Sequence, residues 1–540
     1  MSYYQDFREY LAALEAAGKL RRVNKQINKD TELHPLVAWQ FRGLEEADRT
    51  GFLFDKVTDI KGKKYKGGVA SCVIAPSRQV YAMAMKCEPG EINEKWARAY
   101  QRPRPPRLVS TGPVKEEIHA GKSLLQHDGL YEFAIPITAN GWESLPRLSA
   151  LSWHTKDPDT GITNVGTYNG YLLGPARSSC RTIQSHLQIH WNKCRQRGIP
   201  LQAAAVVGAV PVVVLTSVIK VPYGVNELDI AGGIAGRPIE VVKCETVDLE
   251  VPASAEVVIE GEIPTDYREP DPASAEHTGY TLLNSKVYAF KVTAITHRKN
   301  PIWHDMIIHT PPCEDSTIRM LSNCARMMTF LKDSCGIPEV KDVAFHQCSA
   351  ANRICVIQMQ DLGARTHNSV VWQTLLGSLA VWPRIPKLVI AVDEDIDPWD
   401  LESVLWAVSF RWQPHRDTKI IQGRRANLDQ SGGPHTLAQE EIYYPISPTQ
   451  PLGHSAMLMD ATRKWDYTPI SLPQRSYMEH AQKLWEELGF TPLKPRQPWY
   501  GYSLGVWPES YQRHADLSAK GEFEQIAREL MSRGEKIEKP

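Results

Sequence analysis

The stretch Leu249–Tyr280, LEVPASAEVVIEGEIPTDYREPDPASAEHTGY, decides how the rest of the chain is read. Val257, Ile259 and Ile263 alternate with Glu256, Glu260 and Glu262, the period-2 pattern of a half-buried strand. Pro264 and Pro270 end that strand and predict an irregular segment, because proline donates nothing to a sheet ladder. The segment carries Asp271 and Glu276, then His277 and the Gly279-Tyr280 pair. Two carboxylates on a stiff loop beside a strand suit acid–base work when their surroundings push their pKa values apart. A solvated acidic loop is the alternative.

The totals exclude several classes. A chain of 540 residues, 42% hydrophobic and 23% charged, fits an ordinary globular protein of two or three domains. Lys+Arg and Asp+Glu balance at 62 each, so no nucleic-acid partner is expected. Ten cysteines without a C-x-x-C pair read as reduced thiols rather than a zinc site. MSYYQDFREY lacks the apolar core of a signal peptide and no apolar run reaches spanning length, so a cytoplasmic protein without a membrane partner is expected.

Outward from the central stretch, Tyr4–Gly18 is expected as an amphipathic helix with Phe7, Leu11 and Leu14 on one face. LRRVNKQIN reads as a strand, TELHPLVAWQFRGLE as a helix, and GFLFDKV and GGVASCVIA as strands. QRPRPPR, with three arginines between residues 102 and 107, reads as an extended linker. SALSWHTK and ITNVGTYNGYLLG flank an Asp-Pro-Asp-Thr-Gly turn. IPLQAAAVVGAVPVVVLTSV is expected to form buried strands, being too interrupted by Gly and Pro for a helix. STIRMLSNCARMMTFLKD has the helical spacing Met320, Cys324, Met327, Met328, Leu331, a core stripe. ICVIQMQ and KLVIAVDED alternate with helical VVWQTLLGSLAVW and DLESVLWAVSFRW, a βαβ rhythm in which Asp393, Glu394, Asp395 and Asp397 read as a turn and helix start. The tail from Glu509 reads as one charged amphipathic helix docking on a neighbouring subunit or on the chain's own surface.

VPASAEVVIEG, the proline-rich acidic loop and HTGY closely resemble the signature region of the UbiD family of decarboxylases, and the likeness runs in order from about Tyr4 to about Trp465. The resemblance implies an α+β / α/β fold: an N-terminal α/β region (1–113), a split β-barrel cofactor domain similar to flavin reductases (114–312), a connecting helix (313–336), a C-terminal α/β domain (337–508) and a helical oligomerisation tail (509–540). It also implies non-oxidative (de)carboxylation of aromatic acids with prenylated FMN from a flavin prenyltransferase, in a homo-oligomer of dimer to hexamer size.

In that resemblance NVGTYNG, QSHLQIH and NELDIAGGIAGRP match the segments whose Asn164, His186 and Glu227 hold a divalent metal (Mn²⁺, Fe²⁺ or Mg²⁺) against the cofactor phosphate. His186 fits better than His190. Thr167, Ser185, Thr216, Ser217, Val218 and Ile219 would line the cofactor, the last four also holding K⁺ through main-chain oxygens. Glu276 matches the acid that moves the proton. The family's Arg–Glu support pair is replaced by Asn169 and Asp271, with Arg268 or Glu269 as alternatives. In GHSAMLMDATRKW, Ala456 stands where the family has a phosphate-binding lysine, and Lys220 or His454 are the candidate substitutes. A missing arginine charge suits a substrate anchored elsewhere, so an aryl-CoA acid such as phthaloyl-CoA ranks first and a free aromatic acid next. A lapsed auxiliary subunit of a carboxylase complex is the competing class.

Overall fold

Val257–Ile263 lies at the centre of a ten-stranded sheet curled into a half-barrel. The computed structural model describes residues 2–182, 185–283, 286–360, 367–382, 385–424, 429–432, 453–495 and 506–536. The sheet runs Thr163–Thr167, Ser152–Lys156, Leu201–Val207, Val257–Ile263, Val287–His297, Arg177–Cys180, Gly170–Gly174, Arg147–Leu148, with Glu117–Ala120 and Arg268–Glu269 also on the long strand Val287–His297. A register shift at Glu260/Gly261 bends the central pair, and a Cβ at Gly261 would collide with the Lys291 carbonyl.

Position corrects the expected half-burial of the central strand. With neighbours on both edges and packed layers on both faces, Glu256 and Glu260 are buried as fully as Val257 and Ile259. Glu256 accepts from Arg8 Nε at 2.8 Å and Arg298 Nη1 at 3.4 Å, which ties the N-terminal helix to the sheet. Glu260 accepts from the backbone N–H groups of Glu245 and Thr246. Alternating charge marked buried, paired acids rather than a wet face. The loop after Pro264 is likewise more regular than expected. Arg268–Glu269 joins the long strand, and Ser274–Ala275 pairs with Thr281–Leu282, presenting Glu276 and His277 from a hairpin.

The valine-rich run divides in two. Leu201–Val207 is a strand, but Pro211–Ser217 is a buried helix. Pro211 opens that helix, where its missing N–H costs nothing, so the proline is a start signal and not a breaker.

Phe7–Ala16 is the expected first helix, N-capped by Asp6. The N-terminal sheet orders Leu20–Val23, Gly51–Phe54, Val69–Ser71, then Trp303–Asp305, so the chain returns here after the half-barrel. Glu314–Thr329 crosses onward with Met320, Cys324 and Met327 buried. The C-terminal sheet orders Val340–Phe345, Ile354–Met359, Leu388–Asp393, His454–Asp460, Thr418–Arg424. One apolar cluster fills the half-barrel, and a larger one joins the first helix, Pro211–Ser217, the connecting helix and the C-terminal sheet.

The tail differs from expectation. It forms two helices, Glu509–Ala519 and Phe523–Ser532, parted at Gly521 in the left-handed region. Neither helix has a buried residue. Among the described residues no helix is long and apolar enough to cross a membrane.

Candidate active site

Gly170–Gly174 and Arg177–Cys180 form a tight antiparallel pair, and Asn169 and Arg181 extend it as a bridge. The strands approach so closely that a Cβ at Gly170 would strike the Ser179 carbonyl. Arg181 therefore leaves the sheet directly across from Asn169 and reaches both loop acids. Its Nε donates to Asp271 Oδ2 at 2.6 Å and its Nη1 to Glu276 Oε1 at 3.0 Å. All three side chains are at most 9% exposed. Arg181 Nη2 has no hydrogen-bond partner among the described residues and is buried.

The sequence reading looks for the arginine at position 169, with Arg268 or Glu269 as alternatives, whereas the guanidinium that reaches the two loop acids is that of Arg181. The signal was present. Asn169 and Arg181 are equidistant from Pro175 in a strand–Gly-Pro-Ala–strand hairpin, so their pairing follows from the turn. Neither alternative takes the role: Arg268 is exposed and lies over the Trp191 and Tyr288 rings, while Glu269 pairs with Arg177.

His277 completes the cluster. Its Nδ1–H donates to Glu276 Oε2 at 3.2 Å while Nε2 accepts from Asn352 Nδ2 at 3.3 Å, an arrangement that fixes the tautomer. Asn352 belongs to the C-terminal domain, so the acid is held from both sides. Burial opposes charge on Glu276, but the His277 hydrogen bond with the charges of Arg181 and Arg147 outweighs it and holds the carboxyl well below the usual range. Glu276 is ionised at rest.

Sequence reasoning also missed Glu143 and Arg147. Arg147 is fully buried, donating through Nη1 to Glu143 at 2.7 Å and to the Ala275 carbonyl at 2.7 Å. Glu143 accepts in turn from the Ala275 N–H at 2.9 Å and the Tyr171 hydroxyl at 2.9 Å. The residue preceding Glu276 is thus clamped at both backbone groups. No motif announces this pair, because its partners are main-chain atoms 128 and 132 residues away.

Elsewhere on the half-barrel, Asn164 and His186 line one small cavity, and Glu227 bonds the backbone beside Asn164. Asn164 sits in the strand Thr163–Thr167, whereas His186 and Glu227 each open a helix, capped by Ser185 and Asn226. Glu227 accepts from the Val165 N–H at 2.7 Å, one residue from Asn164. A cavity of about 10 Å³, room for one water or ion, is lined by Asn164, His186 and His190. Tyr168 hydrogen-bonds toward Ser185 and Asn164 and needs Gly166, whose Cβ would collide with its ring.

These residues fit a divalent cation. Burial lifts the Glu227 pKa to about 8 despite two backbone donors, as expected of a carboxylate lacking a counter-charge. Burial, then the nearby Lys220 charge, lowers His186 and keeps its imidazole neutral for ligation. Lys220 thus lies near the place where a cofactor phosphate is expected, while Ala456 is buried in the C-terminal sheet.

Thr167 and Ser217 share a hydrogen bond of 2.7 Å, and Ser152 donates to Ser217 at 3.2 Å. Thr216 bonds back to the Val212 carbonyl. Val218 and Ile219 follow at the C-terminus of Pro211–Ser217, where unsatisfied carbonyls favour a cation. The acids after Leu388–Asp393 form an ion cluster: Arg411 pairs with Asp393 and Asp395 at 2.7 Å each.

Residues 137–311 match the family model described as 3-octaprenyl-4-hydroxybenzoate carboxy-lyase Rift-related domain, and 316–461 match its C-terminal domain. A phenolic acid decarboxylase of Bacillus subtilis is 29% identical over 483 residues, covering 87% of this chain and 99% of the relative. The UbiD-class enzyme HmfF of Pelotomaculum thermopropionicum, solved with FMN, aligns at a TM-score of 0.74 and 29% identity over 88% of this chain and 99% of its own. The vanillic acid decarboxylase of Sedimentibacter hydroxybenzoicus in closed form gives a TM-score of 0.73 and 25% identity over 90% of this chain and 100% of its own.

Proposed function

This chain belongs to the UbiD family of carboxy-lyases, and from that premise we propose that it decarboxylates a free aromatic carboxylic acid with prenylated FMN as cofactor and Glu276 as proton donor. The observation that carries the reading is Arg181 between Asp271 and Glu276, with one guanidinium nitrogen unpartnered among the described residues.

Prenylated FMN, when bound, supplies the electron sink for the carbon that loses CO₂. Asn164, His186 and Glu227 would hold a divalent cation such as Mn²⁺, Fe²⁺ or Mg²⁺ beside its phosphate. The carbonyls of Thr216, Ser217, Val218 and Ile219 would hold K⁺.

The chain's own residues bind and protonate. Arg181 Nη2, without a partner among the described residues, is placed to donate charge-assisted hydrogen bonds to a substrate carboxylate. The arriving anion shares the guanidinium charge that had held Glu276 ionised. In a buried site, the gain of one negative neighbour and partial loss of one positive one move the Glu276 carboxyl upward from its depressed resting position. Glu276 takes up a proton from solvent. As CO₂ departs, Glu276 passes that proton to the ring carbon and re-forms its pairs with Arg181 and His277. Substrate carboxylate plus one proton gives arene plus CO₂.

The case for an aryl-CoA substrate such as phthaloyl-CoA rested on a missing arginine, and Arg181 restores that charge. The relatives named as phenolic acid and vanillic acid decarboxylases support a free acid. The same ion pair weighs against a lapsed auxiliary subunit. The exposed tail helices, with Phe523, Leu530 and Met531 bare, support self-association.

The test is co-production with a flavin prenyltransferase in Mn²⁺ and K⁺, followed by absorbance and mass analysis. Bound prenylated FMN and CO₂ release from free aromatic acids are expected. Release only from CoA thioesters overturns the substrate, and colourless protein overturns the activity.

A further inference from the structure

Well away from these residues, three side chains converge with their lone pairs facing inward. His119 lies in Glu117–Ala120 and His297 ends the neighbouring strand Val287–His297. Because His119 pairs with Ile295, the two imidazoles occupy the same sheet face two residues apart. The turn Gly129–Glu132 delivers Glu132 between them. His119 Nδ1 is 3.4 Å from Glu132 Oε2, His297 Nε2 is 3.8 Å from Glu132 Oε1, and the candidate donor atoms all fall within 4.8 Å of one another.

We propose that His119, Glu132 and His297 form a second metal site, for zinc or a comparable borderline divalent ion, that is structural and separate from the Asn164–His186–Glu227 set. Zinc bonds of about 2.0–2.1 Å in tetrahedral geometry place neighbouring ligand atoms about 3.4 Å apart, the spacing approached here. Without an ion, the cluster is poorly satisfied. Glu132 Oε2 and His297 Nε2 are both buried with no hydrogen-bond partner among the described residues, and His297 is only 3% exposed.

The surroundings prepare ligation. His297 Nδ1–H donates to the Arg298 carbonyl at 2.8 Å, which leaves Nε2 as the lone pair aimed at the cluster. The His127 ring stacks on His119 at 3.9 Å and shields its outer side. Glu132 is 27% exposed, so a fourth position opens toward solvent for water. A cation here would pin the Gly129–Glu132 turn to the end of the long strand opposite Tyr288, the residue paired with Cys180 beside Arg181.

The sequence hid this site because its ligands are 13 and 165 residues apart and contain no cysteine.

The test is Zn²⁺ titration of chelator-stripped protein against a chromophoric competitor, comparing wild type with Glu132→Gln and His297→Gln. Each variant should bind one equivalent less, and zinc should raise the wild-type melting temperature more than theirs. Co²⁺ loaded into the unmutated protein should give the intense visible bands of four-coordinate cobalt, a readout that survives if a variant misfolds. Equal zinc stoichiometry in wild type and folded variants, or cobalt bands of a six-coordinate ion only, overturns the site.

Discussion

Arg181 and Asn169 are joined across a hairpin by a 2.7 Å bond from the Arg181 N–H to the Asn169 carbonyl, and the charge absent from one strand is presented by the other. The guanidinium needs only to reach Asp271 and Glu276, and either strand of so tight a pair can bring it there.

Arg181→Gln should therefore remove the cation that bonds both Asp271 and Glu276, leaving Glu276 the more distant Arg147 charge and the His277 hydrogen bond. Breaking such a pair costs about 3–5 kcal/mol of folding stability, and losing the donor that positions substrate and Glu276 should lower kcat/KM by about 100-fold or more. Adding Asn169→Arg in that background should recover part of the loss. Steady-state kinetics of both variants with one aromatic acid decide this, and a double variant no better than Arg181→Gln contradicts the strand-exchange account.

The Glu276 carboxyl is depressed in the folded state. Its ion pairs contribute stability that is present above the unfolded carboxyl pKa, about 4.3, and lost as pH falls toward the folded value. Chemical denaturation should show a stability plateau near neutrality and a decline below about pH 4. The decline should be shallower in Glu276→Gln, which has no proton to gain.

Substrate binding should be coupled to proton uptake. At the acidic end of the enzyme's working range, mixing loaded enzyme with an aromatic acid in weak buffer containing a pH indicator should consume protons before CO₂ appears, because the arriving anion moves the Glu276 carboxyl upward. Glu276→Gln should consume none. Uptake unchanged in that variant assigns the proton elsewhere.

His186→Ala and Glu227→Gln should each weaken divalent metal binding by about 10–100-fold or more and lower flavin retention, measured by metal analysis and flavin absorbance after gel filtration. Lys220→Ala should lower flavin retention while sparing the metal, if Lys220 fills the place left by Ala456.

Much of this molecule was legible in its sequence. Hydrophobic periodicity located the first helix, which buries the single face Phe7, Tyr10, Leu11 and Leu14, and apolar spacing also located the connecting Met–Cys helix and the C-terminal βαβ rhythm. Periodicity failed where burial is two-sided: Glu256 and Glu260 alternate like surface residues, yet cations and backbone donors hold them inside. Pro211 was taken as a breaker because its place at a helix start depends on the preceding turn. At the site, matched motifs point to Glu276, Asn164, His186 and Glu227 as the proposed site residues, while matching by position does not lead to Arg181, which strand pairing brings to Asp271 and Glu276. Glu143 and Arg147 were unreadable, since they act on the backbone of Ala275 from far along the chain.

The most direct measurement is decarboxylation in D₂O by protein loaded with prenylated FMN, wild type beside Glu276→Gln, with equal flavin content confirmed by absorbance. The account predicts CO₂ release by wild type with one deuterium at the carbon that bore the carboxylate. It predicts a flavin-loaded but inactive Glu276→Gln. Undiminished turnover and deuteration by Glu276→Gln would contradict it.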